Sequence, residues 1–110
     1  GGIIEAIDAA NTYLKNKRKK IKIEVETRNL EDVKKVLAHG GVQRIMLDNY
    51  SPGLTKQAVK LIGGKVEVES SGGINETNIA AYAKCGVNFI SIGALTHHIK
   101  SLDLSLKAIN

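Results

Sequence analysis

Glu26 and Asp48 each close a short run in which apolar residues alternate with polar ones, Ile21-Ile23-Val25 before the first and Ile45-Met46-Leu47 before the second. A third run, Lys65 to Glu69, sets Val66 and Val68 against Glu67 and Glu69 and leads into Ser70-Ser71-Gly72-Gly73. A fourth, Asn88 to Ile92, runs into Gly93-Ala94-Leu95-Thr96-His97. Carboxylates at the ends of neighbouring strands hold a hard cation through water, work as an acid/base pair, or stand as solvated rim groups salt-bridged to lysine. Small-residue turns leave backbone N–H groups and hydroxyls for a phosphate, most effectively where two such turns converge. Ser70, Ser71, Gly72, Gly73, Gly93, Ala94 and His97 are therefore the candidate phosphate ligands. Glu26 and Asp48 are the candidate catalytic residues and, through water, the candidate ligands of a Mg²⁺ ion.

The elements that must position these groups follow from periodicity. Ile3, Ile4, Ile7, Ala10, Tyr13 and Leu14 recur at helical spacing and predict a helix from residue 2 to about 16. Asn29 is a predicted N-cap for a helix that stops at Gly40-Gly41. Ser51-Pro52 starts another that ends at Gly63-Gly64, and a fourth is expected near Glu76 to Lys84. The strand ends Glu26, Asp48, Glu69 and Gly93 lie 22, 21 and 24 residues apart, one strand plus one helix each time. Such alternation implies parallel strands with right-handed crossovers, either a slice of an α/β barrel or half of a doubly wound sheet.

The second face of these strands separates the two. It carries Lys22, Glu24, Glu26, Met46, Asp48, Glu67, Glu69, Ser71, Phe89, Ser91 and Gly93, which is too polar to lie under helices. A sheet with one solvated face accounts for the charges as well, but parallel crossovers disfavour it. The expected fold is a partial TIM-like α/β barrel of about four parallel strands alternating with helices. Four strands are half of what closure needs, so an open flank is expected for another segment or subunit to cover. The alternation of Leu102, Leu104 and Leu106 suggests a further strand in the tail, although Leu102, Leu106 and Ile109 also fit a helix.

At 110 residues, with 43% hydrophobic and 25% charged residues, the chain has the composition of one soluble globular domain. The net charge of +5 arises largely from Lys15, Lys17, Arg18, Lys19, Lys20 and Lys22. Without interleaved aromatics or a nucleic-acid motif this run reads as a solvated helix end, so no nucleic-acid partner is expected. Apolar runs are too short to cross a bilayer, and the lone Cys85 fits a reducing, cytoplasmic compartment. Cys85 reads as packing, His39 as a partner for a helix C-terminus, and His98 as pointing away from the phosphate. No zinc-ligand spacing occurs. The start at Gly1 suggests a segment of a longer protein.

Ile23-Glu-Val-Glu-Thr-Arg-Asn-Leu30, Arg44-Ile-Met-Leu-Asp-Asn49, Glu67-Val-Glu-Ser-Ser-Gly-Gly-Ile74, Tyr82 through His97, and Leu102-Asp-Leu-Ser-Leu106 together resemble quinolinate phosphoribosyltransferases, also called carboxylating nicotinate-nucleotide pyrophosphorylases. The resemblance covers essentially the whole chain. It implies a cytosolic step of NAD synthesis in which quinolinate and phosphoribosyl pyrophosphate give nicotinate mononucleotide, pyrophosphate and CO₂ with Mg²⁺ present. By position, Glu26 and Asp48 match the acidic residues near ribose, metal and pyrophosphate. Ser71, Gly72, Gly93 and His97 match the 5′-phosphate site. The resemblance further implies that residues 1–110 form the C-terminal half of the barrel, with the N-terminal sandwich domain, the first strands and the quinolinate-carboxylate ligands elsewhere. It implies a homodimer or higher homo-oligomer, and inactivity of this segment alone. The alternatives are a molybdenum-transport-associated relative of the phosphoribosyltransferases and a non-catalytic phosphate-binding half barrel.

Overall fold

The computed structural model describes residues 2–101; the tail strand expected from Leu102 onward lies outside them. Helices and strands alternate as α1 (Gly2–Asn16), β1 (Glu24–Thr27), α2 (Leu30–His39), β2 (Arg44–Asp48), α3 (Pro52–Ile62), β3 (Glu67–Ser71), α4 (Ile79–Ala83) and β4 (Phe89–Ile92). A strand β5 (Leu95–His98) and a 3₁₀ turn (Ile99–Ser101) follow. The sheet order is β1-β2-β3-β4-β5, with the first three pairings parallel and the last antiparallel.

Local chemistry sets most boundaries. The Asn29 side chain accepts from the Asp32 N–H at 2.8 Å and starts α2, which Gly40 ends at φ +78°. Ser51 accepts from the Leu54 N–H at 3.1 Å, Pro52 takes the first turn, and Gly63 closes α3 in the left-handed region.

Sequential strand order and neighbouring helix pairs α1–α2, α2–α3 and α3–α4 are the arrangement of a barrel slice; a doubly wound sheet reverses its order. One face of the sheet supplies Ile45, Leu47, Val68 and Ile90 to a core completed by Ile7, Val33, Val36, Ala58 and Ile62 from the helices. The core is thus a single layer between sheet and helices, and the other sheet face is left for function.

That other face is layered by register. Glu24, Arg44 and Glu67 lie level at the N-terminal end; Glu26, Met46, Glu69 and Phe89 come next; Asp48 and Ser71 stand at the C-terminal end. Among the described residues β1 and β5 are the sheet edges. Ile21, which precedes one, and Leu95, on the other, are 59% and 65% exposed.

Three expectations need correction. The first strand begins at Glu24, so Ile21 lies outside it. The segment after Gly93 pairs back on β4 as a fifth, antiparallel strand, because Gly93 takes φ +61° in a two-residue turn between the paired Ile92 and Leu95. The helix expected from Glu76 is delayed to Ile79. The Asn75 side chain accepts from the N–H groups of Thr77 and Asn78 at 2.9 and 3.3 Å, and holds the intervening residues in a turn.

Candidate active site

The C-terminal end of β2 and the turn after β3 meet. Gly72 has φ +89°, and a Cβ on it would lie 2.9 Å from the Asn49 backbone N and 3.2 Å from Asp48 Oδ1. The Asn49 N–H donates to the Ser71 carbonyl at 2.8 Å, tying the two strand ends together. Among the described residues, the N–H groups of Gly72 and Gly73 have no hydrogen-bond acceptor. Asn78 pins the turn from behind by donating to the Gly73 carbonyl at 2.9 Å. The result is a rigid turn with two free N–H donors packed on a carboxylate. An anion at those donors stands beside Asp48, an arrangement that becomes favourable when a cation or a hydroxyl lies between.

Glu26 stands on the same face of the adjacent strand, two residues short of Asp48's level. Strand spacing and rise put their Cα atoms roughly 8 Å apart. Arg28 pairs with Glu26 at 3.2 Å, both side chains well exposed, so the contact is a weak rim ion pair. Two hard-oxygen carboxylates at that separation fit Mg²⁺ held through water and a bridging phosphate. They do not form a direct cage, and among the described residues no group of three or more His, Cys, Asp or Glu is placed to hold a metal.

The other expected phosphate residues divide. Ser71 shares the face of Glu69 and Asp48, and Gly93 and Ala94 form the turn at the same end of the adjacent strand. The Ser70 side chain does not join them: it alternates onto the core face, is 1% exposed, and its hydroxyl is buried without a partner. His97 lies level with the fully buried Ile90 and so faces away from Ser91 and Thr96. The histidine on the open face is His98, edge-on to Phe89 with ring centres 4.9 Å apart. Both corrections follow from one residue of strand alternation, which reverses the face of a side chain. Nor does the short α4, starting six residues beyond the last Ser-Ser-Gly-Gly residue, offer its N-terminus to the turn.

Sequence reasoning left out Arg44, the centre of this face. Its guanidinium lies 3.3 Å from Glu67 and 3.4 Å from Glu69 and stacks over Phe89 at 3.6 Å from the ring centre, with Lys22 adding a contact to Glu67 at 3.5 Å. Arg44 is the reason glutamates are tolerated here. Glu69, 2% exposed, is pushed up by burial, but hydrogen bonds from Glu24, Ser91 and Arg44 outweigh that and hold it below the usual carboxylate range. Glu24 goes the other way: burial and the neighbouring Glu69 raise it to about 7, so it carries the proton the pair shares. Only the strand register reveals this, since it sets Arg44 level with Glu24 and Glu67.

Two remaining candidates are structural. His39 Nε2 meets Asp8 at 2.7 Å across α1 and α2. The Cys85 thiol lies 3.2 Å from the carbonyls of both Pro52 and Ala81, and burial pushes it above its ordinary value, opposite to what a nucleophile needs.

Parallel strands with helices on one face, and acidic and glycine-rich strand ends gathered at their C-terminal side, define an α/β-barrel segment. Residues 1–107 match the family model described as quinolinate phosphoribosyl transferase, C-terminal domain, and the chain belongs to that family. It is 43% identical, over 97% of its length, to a chloroplastic nicotinate-nucleotide pyrophosphorylase [carboxylating] of Arabidopsis thaliana, covering 35% of that protein. It is 42% identical, over 98% of its length, to a probable enzyme of the same name from Methanocaldococcus jannaschii, covering 39% of it. The structure of the nicotinate-nucleotide pyrophosphorylase from Francisella tularensis superimposes with a TM-score of 0.75 at 41% identity, over 94% of this chain and 36% of that one. The chain thus spans about a third of the length of the curated relatives it matches. Among the described residues no helix is long and apolar enough to cross a membrane.

Proposed function

We propose that this chain is the C-terminal half of the barrel of a quinolinate phosphoribosyltransferase and supplies the 5′-phosphate and acidic parts of its active site. The observation that carries the reading is the packing of Gly72 on Asp48, which joins a turn with free N–H donors to a carboxylate at the mouth of the sheet. Ser71, Gly72, Gly73, Gly93 and Ala94 hold the 5′-phosphate of phosphoribosyl pyrophosphate. Glu26 and Asp48 face the ribose and stabilise positive charge as the bond to pyrophosphate breaks. The same two carboxylates would hold a Mg²⁺ ion through water, and that ion would supply neutralisation of the charge on the leaving pyrophosphate. Quinolinate attacks the anomeric carbon, and loss of its 2-carboxylate as CO₂ leaves nicotinate mononucleotide.

The ligands of quinolinate come from outside residues 1–110, and the exposed edges at Ile21 and Leu95 suit the rest of a barrel and a homo-oligomer. We place the enzyme in the cytoplasm, in keeping with its single unpaired cysteine. The molybdenum-transport alternative has no support in the relatives named above.

The test is release of labelled CO₂ from 2-carboxyl-labelled quinolinate by the natural full-length protein with phosphoribosyl pyrophosphate. Mg²⁺-dependent release matched by nicotinate mononucleotide supports the proposal. A folded protein that binds phosphoribosyl pyrophosphate and releases no CO₂ moves the function to another acceptor.

A further inference from the structure

Glu69 has an unexpected partner. Ser91 Oγ on β4 donates to Glu69 Oε2 in a short hydrogen bond, and Thr96 Oγ1 on β5 lies 2.9 Å from the same Ser91 oxygen. A serine has one O–H to give, and here it goes to a carboxylate that only accepts. Thr96 must therefore be the donor to Ser91. The chain Thr96 to Ser91 to Glu69 runs in one direction across three strands. Its other end is fixed, since Glu69 Oε1 is held by Arg44 and the carboxylate is almost fully buried.

Ser91 and Thr96 are the cross-strand pair that flanks Ile92–Leu95, the last pair before the Gly93–Ala94 turn. Direct pairing of β4 with β3 covers only Phe89 and Ile90, so the end of the hairpin extends beyond the ladder that anchors it. Leu95 is largely exposed, and a Cβ on Gly93 would meet nothing within 4 Å, so apolar packing holds this turn on one arm, through Ile92, and leaves the other arm free of it. The hydroxyl chain to Glu69 is what ties it to the rigid strand carrying Ser71 and Gly72.

We propose that Glu69 is a positioning residue for phosphate binding: through Ser91 and Thr96 it holds the Gly93–Ala94 turn in register with the Gly72–Gly73 turn. The proposal rests on the phosphate reading above but assigns Glu69, Ser91 and Thr96 a role separate from contact with substrate. Losing the link loosens one of two turns and weakens binding of the phosphate, with little effect on the chemical step.

The test uses the full-length protein with ribose 5-phosphate as binding probe and phosphoribosyl pyrophosphate as substrate. Ser91→Ala and Thr96→Val, which keep Arg44 and both of its glutamate partners in the chain, should each weaken ribose 5-phosphate binding and raise KM for phosphoribosyl pyrophosphate about tenfold, the size of one lost hydrogen bond to a charged group. The kcat should change less than about twofold, since binding alone is lost. Ser91→Thr and Thr96→Ser, which keep the hydroxyls, should restore affinity. Unchanged affinity in Ser91→Ala, or kcat falling in step with a lower Tm, overturns the positioning role while leaving the phosphate site in place. Wild-type protein that does not bind ribose 5-phosphate overturns both, and the two failures are told apart by the wild-type titration.

Discussion

Gly72 packs on Asp48 so closely that a Cβ on the glycine would stand 3.2 Å from the carboxylate Oδ1 and 2.9 Å from the next backbone nitrogen. The glycine is therefore required twice, for its φ of +89° and for the missing side chain. Gly72→Ala should cost about 1–3 kcal/mol in stability and weaken phosphoribosyl pyrophosphate binding. Gly64→Ala separates the two effects, since Gly64 has φ +78° with nothing near its Cβ position. It should show a smaller loss of Tm and normal substrate kinetics. Equal kinetics in the two variants would remove Gly72 from the site.

Asp48 is half-exposed at a strand end and is not part of the Arg44 ion-pair cluster, so its charge does little for the fold. In the full-length protein Asp48→Asn should lower kcat on the order of 100-fold, as loss of one electrostatic group at a developing charge does, with Tm nearly unchanged. Equal proportional losses of activity and stability would count against a catalytic role.

Tyr50 shows the opposite pattern. Its hydroxyl, buried in the core, donates to the Asn29 carbonyl at 2.8 Å and meets Thr27 Oγ1 at 2.9 Å, linking the end of β1 to the segment after β2. Tyr50→Phe takes the donor from the Asn29 carbonyl, while Thr27 keeps its bond to the Met46 carbonyl at 2.9 Å, and should cost about 1–3 kcal/mol in denaturant unfolding. KM for phosphoribosyl pyrophosphate should stay within error of wild type, and a large rise would show that Tyr50 shapes the site.

The Glu24–Glu69 pair predicts a pH dependence of stability. Glu24 rises from 4.5 to about 7 in the folded protein, so between those values the native state keeps a proton the unfolded chain has lost. Stability therefore falls as pH rises through that window. Glu69, held below 4.5, acts in the other sense and stabilises above its unfolded value, with loss at lower pH. Glu24→Gln should flatten the decline of Tm between about pH 4.5 and 7 and keep the acid limb, as this linkage requires. Parallel Tm profiles for wild type and variant would show that the two carboxylates do not share a proton.

What could be read from the sequence was what local chemistry decides. Asn29, Ser51, Gly40 and Gly63 act within one turn of their own positions, so their caps were legible. The polar face was legible because strand alternation is strict, and it correctly separated Glu69 and Asp48 from the core. Arg44 was not, because its role depends on lying level with Glu67 on another strand. Ser70 and His97 were grouped with their neighbours by adjacency, whereas the extension of β3 through Ser71 and the hairpin at Gly93 turn them to the other face. Gly93-Ala94 did carry a hairpin signal, a glycine opening a two-residue turn, but Leu-Thr-His-His lacks the alternation that marks a strand.

The most direct test of the phosphate site is an amide chemical-shift titration of the full-length protein with ribose 5-phosphate. The account predicts that the N–H resonances of Gly72, Gly73, Gly93 and Ala94 shift together and saturate at one concentration. Shifts confined to the basic run from Lys15 to Lys22, with those four amides unmoved, would contradict it.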